Sequence, residues 1–298
     1  MRKLNSIART MFPACLLLVV TGTASYAQKT LPPKGTATTG ASAKFRVTLN
    51  GFAVNHQSDD DILEGDGKGD EVYLRADVWQ INKDGAVSVK QPYRTPVLGD
   101  VNNQQNRKQA GSASDKGGLR TNDKYPTNTP WARGALQTLE LPMLLWQGTL
   151  TQGEDGVSII PTIWEWDSPN SSETETEWSN GLDRMFSNFQ PYLVKQIQNR
   201  DIGITFYGTL VPPGRSLAFG SWDIGGVGLA GTRPIGIYKR TASVPYLSYQ
   251  MLPLNYDSAL EATKTSPSNS GLGVFAIRYT DELDHGDYTL YIQVEKLN

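Results

Sequence analysis

The stretch Tyr288 to Glu295 reads "YTLYIQVE", and a large apolar side chain stands at every second position: Tyr288, Leu290, Ile292 and Val294. Thr289, Tyr291, Gln293 and Glu295 fill the gaps. Successive side chains of a strand point to opposite faces, so this period of two predicts a strand with one face in a core and one toward water. The pattern recurs upstream. Phe45, Val47 and Leu49 alternate with Arg46, Thr48 and Asn50, and Val72, Leu74, Ala76 and Val78 repeat it. Further strand candidates are 136–150, 159–166, 204–211, 235–240, 246–252 and 273–279. Short strands parted by Gly, Pro and Asn turns predict an all-β fold, an antiparallel β-sandwich of jelly-roll or C2-like architecture.

One segment departs from this period. Leu182, Met185, Phe186, Phe189, Tyr192, Leu193 and Ile197 recur at steps of three and four, which predicts an amphipathic helix over 179–199 packed on the sandwich. Pro191 should kink or divide it. A membrane-surface helix would carry a polar face rich in Lys and Arg, which this one lacks. Residues 99–135 hold few large apolar side chains and much Asn, Gly, Lys and Thr, so they read as a long surface excursion.

The N-terminus points to export. Arg2, Lys3 and Arg9 precede the apolar run Ala14 to Val20, and small residues end at Ala27, as in a secretory signal peptide over 1–27. That run falls short of the roughly 20 residues a bilayer span needs, so no transmembrane segment is expected. Residues 28–44, "QKTLPPKGTATTGASAK", read as a flexible linker, with the folded domain over 45–298. The only cysteine, Cys15, leaves with the leader, which excludes disulfides and zinc-thiolate sites from the mature chain. The expected location is secreted or periplasmic. Removing Arg2, Lys3 and Arg9 from 28 basic residues leaves 25 against 30 acidic, a net charge of −5. No basic stripe with interleaved aromatics occurs, so nucleic acid is not an expected partner.

Chemistry-bearing motifs are few. Gly226, Gly228 and Gly231 match a dinucleotide fingerprint in spacing, but Pro234 and a strand-like run follow where a helix is required, so a glycine-rich turn is expected. The two histidines, His56 and His285, each adjoin an acidic loop, and no serine sits in a nucleophile elbow. In "PTIWEWDSP", at 161–169, a strand would put Trp164 and Trp166 on one face and Glu165 and Asp167 on the other. Trp164 and Trp166 are thus candidate sugar platforms, and Glu165 with Asp167 a candidate acid pair for glycoside hydrolysis; core aromatics with acids at a strand end are the alternative.

The densest signal is "DDDILEGDGKGDE" at 59–71, with seven carboxylates in thirteen residues and glycines at 65, 67 and 69. A second acidic connection holds Asp281, Glu282, Asp284 and Asp287. Calcium takes about six to eight oxygens from flexible loops, and glycines let such loops fold tightly. The spacing is not that of an EF-hand; it is analogous in chemistry to the loop aspartates of C2-type sandwiches. Asp59, Asp61, Asp66, Asp70, Glu71, Asp284 and Asp287 are therefore the candidate calcium ligands, with Asp66 and Asp70 facing Asp284 and Asp287 if the two connections meet. Solvated loops are the alternative. The expected function is an exported, non-catalytic binding module with calcium-binding loops, whose partner is a polysaccharide or another surface protein. Two other readings stand beside it: a carbohydrate-active or carbohydrate-binding protein using residues 164–167, and a structural surface protein without a small ligand.

Overall fold

Alternate side chains of the C-terminal strand are buried: Tyr288, Leu290, Ile292 and Val294 lie in the core, while Thr289, Tyr291, Gln293 and Glu295 are half-exposed. The structure, a computed structural model, describes residues 40–59, 67–102, 106–133, 140–166, 171–201, 232–236, 238–240, 245–247, 250–281 and 285–298. The expected leader, most of the linker, the glycine-rich turn at 226–231 and the strand candidate at 204–211 lie outside them. In chain order the elements are β1 (Ser42–His56), β2 (Val72–Asn82), β3 (Val87–Arg94), β4 (Val97–Gly99), β5 (Arg107–Gln109), β6 (Lys124–Tyr125), β7 (Met143–Thr151), β8 (Asp155–Glu165), α1 (Ser171–Asn199), β9 (Arg233–Pro234), β10 (Tyr238–Arg240), β11 (Pro245–Leu247), β12 (Leu252–Asn255), α2 (Tyr256–Ala262), β13 (Val274–Thr280) and β14 (Asp287–Leu297). The first strand thus begins three residues before Phe45.

The fold is mostly β, in two larger sheets and a small hairpin. One sheet runs β13-β14-β1, with β6 and β7 both on the far edge of β1. The other runs β12-β8-β2-β4-β5, with β3 also on β2 and β9 on β8. Among the described residues, strand pairing is antiparallel except between β4 and β5. β7 and β8 are joined by the turn 152–154, so the chain passes there from one sheet to the other.

Parity along β1 changes at a bulge. Phe45, Val47 and Leu49 are buried on odd positions, then Phe52 and Val54 on even ones, because the pairing with β14 slips between Leu49 and Gly51. A one-residue slip moves all later side chains to the other face, so the bulge keeps apolar residues inward on both sides of it. Gly51 is required there by crowding: a Cβ would lie 2.3 Å from the Tyr125 carbonyl oxygen and 2.6 Å from that of Pro130.

The strand β2 is buried on both faces. Val72, Leu74, Ala76 and Val78 join the core with β1 and β14 residues, while Tyr73, Arg75, Asp77 and Trp79 lie beneath α1. That helix buries Trp178, Leu182, Phe186, Phe189, Leu193 and Ile197, spaced by three and four. The Phe186 ring stacks on Trp79 at 5.2 Å, and Trp178 Nε1 donates to Asp77 Oδ2 at 2.9 Å. Each such fully buried side chain contributes about 1.5–3 kcal/mol. The helix begins eight residues earlier than its apolar period suggests, because polar Glu175 and Ser179 find partners on β2. Pro191 lies inside it.

The excursion at 99–135 is more structured than its composition suggests. Its backbone at Leu119 pairs with Asp70 in both directions, at 2.9 Å each. Gly118, at φ +93°, approaches so closely that a Cβ would overlap the Lys68 carbonyl oxygen at 1.5 Å. Asp123 caps the turn by accepting from the backbone of Ser112 and Arg120, at 2.8 Å each. Ala110 and Leu119 are buried in the core, so the segment braces the start of β2.

Candidate functional site

The end of β1, the starts of β2 and β14, and the ends of β8 and β13 converge on a buried group of carboxylates. Asp70 precedes β2, Glu165 ends β8, and Asp281 follows β13; all three are buried. Ser58, just past β1, donates its backbone N–H to Asp70 Oδ2 at 2.8 Å. Its Oγ lies 3.0 Å from Asp70 Oδ1 and 2.5 Å from Glu165 Oε1, so one hydroxyl proton sits between two carboxyl groups. Arg233, on β9, forks between Glu165 Oε2 and Asp281 Oδ2, each at 2.5 Å. Burial alone would lower the arginine's affinity for its proton, but Glu165 and Asp281 outweigh it and hold the guanidinium firmly charged. The Tyr288 hydroxyl donates to Asp70 Oδ2. β9 can deliver Arg233 because it pairs with the last two residues of β8, Trp164 with Pro234 and Glu165 with Arg233.

The two acidic connections touch at this rim. Asp59 Oδ2 lies 2.5 Å from His285 Nδ1, and both side chains are exposed. Asp61, Asp66 and Asp284 lie outside the described residues. The other candidate ligands are engaged elsewhere. Glu71 pairs with Arg107 at 2.8 Å. Asp287 accepts from Arg278 and Asn55, and this pairing holds its carboxyl below the usual carboxylate range. Asp70 and Asp287 do not share a site: Asp70 bonds to Tyr288, whose inward side chain leaves that of the preceding Asp287 on the opposite face of β14. His56 turns to its neighbour, with Nδ1 2.6 Å from the Gln57 carbonyl oxygen, and does not join His285 in any described contact. Among the described residues no group of three or more His, Cys, Asp or Glu is arranged to hold a metal ion.

Trp164 is a core residue. Its ring stacks on Tyr73 at 5.6 Å and meets Trp178 edge-on at 5.7 Å, leaving no face for a sugar. Trp166 is half-buried, at the edge of Tyr73. Glu165 turns away from Trp164, as strand alternation requires, but its two oxygens are taken by Ser58 and Arg233. Asp167 lies outside the described residues.

A second charged group lies beneath α1. Arg75 forks to Asp77 at 2.8 and 3.0 Å, reaches Glu175 at 3.3 Å and donates to Ser179 at 2.7 Å. Glu175 also takes Arg94 at 2.6 Å and the Tyr73 hydroxyl at 2.9 Å. Burial, then the Glu175 carboxylate, push the Tyr73 phenol far above its ordinary range. Neither group is apparent from residue spacing, since Ser58 and Arg233 are isolated in sequence and Arg75 and Asp77 occupy the polar half of an alternating strand. The available signal is Tyr73 and Trp79, two large aromatics in that same polar half.

No family model, curated protein or solved structure matches this chain.

Proposed function

We propose that the protein is an exported, non-catalytic binding module, built as an antiparallel β-sandwich, whose two acidic connections take calcium at one rim. The carrying observation is the contact between those connections, Asp59 against His285, beside the Asp70–Tyr288 bond. The sandwich reading is supported by the single cluster of buried side chains that draws on both larger sheets. Asp59 is the described carboxylate whose exposure suits a ligand role, and Asp61, Asp66 and Asp284 would complete the set. Asp70, anchored by Ser58 and Tyr288, acts as a positioning residue for the first connection. The fit excludes Asp287 and Glu71, whose oxygens already face guanidinium groups. Calcium would rigidify the rim and bridge to a polysaccharide or another surface protein. The hydrolase alternative is disfavoured because Glu165 is enclosed, with both oxygens bonded.

Thermal unfolding in chelator and in increasing calcium tests this reading. A ligand of the native state raises the melting temperature with the logarithm of its concentration. Asp59→Asn should weaken calcium binding by roughly tenfold or more, a loss of about 1.4 kcal/mol, while Asp287→Asn should leave it unchanged. If calcium neither shifts unfolding nor gives heat in calorimetry, the structural surface-protein reading replaces this one. Export is checked separately by intact mass, with Gln28 expected as the first residue.

A further inference from the structure

A cleft of about 440 Å³ opens between β3 and the first turns of α1. It is lined by Arg75, Tyr93, Arg94, Glu175, Ser179 and Asn180, with Pro92 and Thr176 beside them. That volume falls in the ~300–1,000 Å³ range of small-molecule sites. Three features define what it suits. First, charge is balanced: two guanidinium groups, Arg75 and Arg94, face two carboxylates, Asp77 and Glu175. An anionic ligand would have to displace Glu175 from both arginines, and a cationic one would meet them directly. Second, the polar groups are fixed before any ligand arrives. Glu175 is held at three points by Tyr73, Arg75 and Arg94, and Arg94 is itself laid over the Tyr73 ring at 3.9 Å. Such preorganised donors and acceptors lose little freedom on binding. Third, Thr176, Ser179 and Asn180 lie three and four residues apart, on one face of the helix, opposite the half-buried ring of Tyr93 on β3.

We propose that this cleft binds a neutral oligosaccharide. A pyranose ring presents an apolar face, which an aromatic ring with a polar tip suits, and a girdle of hydroxyls that donate to a carboxylate and accept from guanidinium and amide groups. The cleft offers each of these, and its balanced charge disfavours the ionic classes. The site is independent of the calcium reading, since no lining residue belongs to either acidic connection.

Titration calorimetry of the full mature chain against the hexasaccharides of cellulose, β-1,3-glucan, xylan, mannan and chitin, with oligogalacturonate as an anionic comparison, tests the assignment. At least one neutral oligosaccharide should bind. Asn180→Ala, at an exposed helix position, should weaken it by roughly tenfold with an unchanged melting temperature, and Tyr93→Phe should retain binding where Tyr93→Ala loses it. Failure of every neutral oligosaccharide to bind overturns the proposal, as does binding of oligogalacturonate alone. Binding that survives both Asn180→Ala and Tyr93→Ala, or that is abolished by chelator and by Asp59→Asn, places the sugar elsewhere and also overturns it.

Discussion

Two charged groups lie on opposite faces of β2 and β8, and they solve the same problem differently. Beneath the helix, two guanidinium groups meet two carboxylates, and Trp178, Tyr73 and Ser179 fill the remaining hydrogen-bonding positions. At the rim, Glu165 and Asp281 share the Arg233 guanidinium, and Asp70 accepts from Ser58 and Tyr288. Burying a charge is costly unless it is paired and hydrogen-bonded. The helix side meets that cost with opposite charge on every carboxylate, whereas the rim combines the Arg233 guanidinium with hydroxyl groups and a backbone N–H. The helix side, being balanced, favours neutral ligands.

The largest expected effects come from removing each guanidinium. Arg75→Met and Arg233→Met should each cost about 3–5 kcal/mol in denaturant unfolding, because each strands buried carboxylates. Removing a stranded partner as well, Asp77→Asn with Arg75→Met or Glu165→Gln with Arg233→Met, should restore part of the loss, since contacting residues are not additive. If Arg233→Met costs less than about 1 kcal/mol, the range of exposed pairs, Glu165 and Asp281 do not depend on the guanidinium for their burial.

A smaller effect separates the neutral donors. Ser58→Ala removes the hydroxyl between Asp70 and Glu165 and should cost about 1–3 kcal/mol, the penalty for leaving buried acceptors unsatisfied. Ser179→Ala should cost less, because Arg75 keeps its fork to Asp77. Equal losses would mean that the rim depends on Ser58 no more than the helix side depends on Ser179.

Much of the scaffold was legible because its signals are periodic. The alternation in 288–294 and 72–78 and the three-and-four spacing of 182–197 each correspond to the faces seen to be buried. The site was less legible, for two reasons. Polar residues at alternate strand positions read as solvent-facing, and at Arg75 and Asp77 that inference fails because α1 covers the second face. Charge pairing between distant segments, such as Arg233 with Glu165 and Asp281, leaves no trace in local spacing. The acidic connections were visible as composition. Which way each carboxylate turns depends on the register of β14, and that separated Asp70 from Asp287.

The smallest expected effect is at Asp287. Asp287 is itself buried, on the face of β14 opposite Tyr288, but the Arg278 side chain that pairs with it is 65% exposed. The Arg278 guanidinium is the main cause of the lowered carboxyl pKa, opposed by burial and helped by the Asn55 amide. A carboxyl whose folded pKa lies below its unfolded value of about 3.9 adds stability above that pH, and the gain is lost as pH falls through the folded value. Solvent screening keeps the gain small for so exposed a partner. Arg278→Ala should therefore raise the Asp287 titration midpoint, followed by carboxyl-carbon NMR, toward the ordinary carboxylate value, and should flatten the acid limb of the stability curve only slightly. Added salt should move the wild-type midpoint in the same direction. A midpoint unmoved by Arg278→Ala would assign the shift to Asn55 and the neighbouring strand.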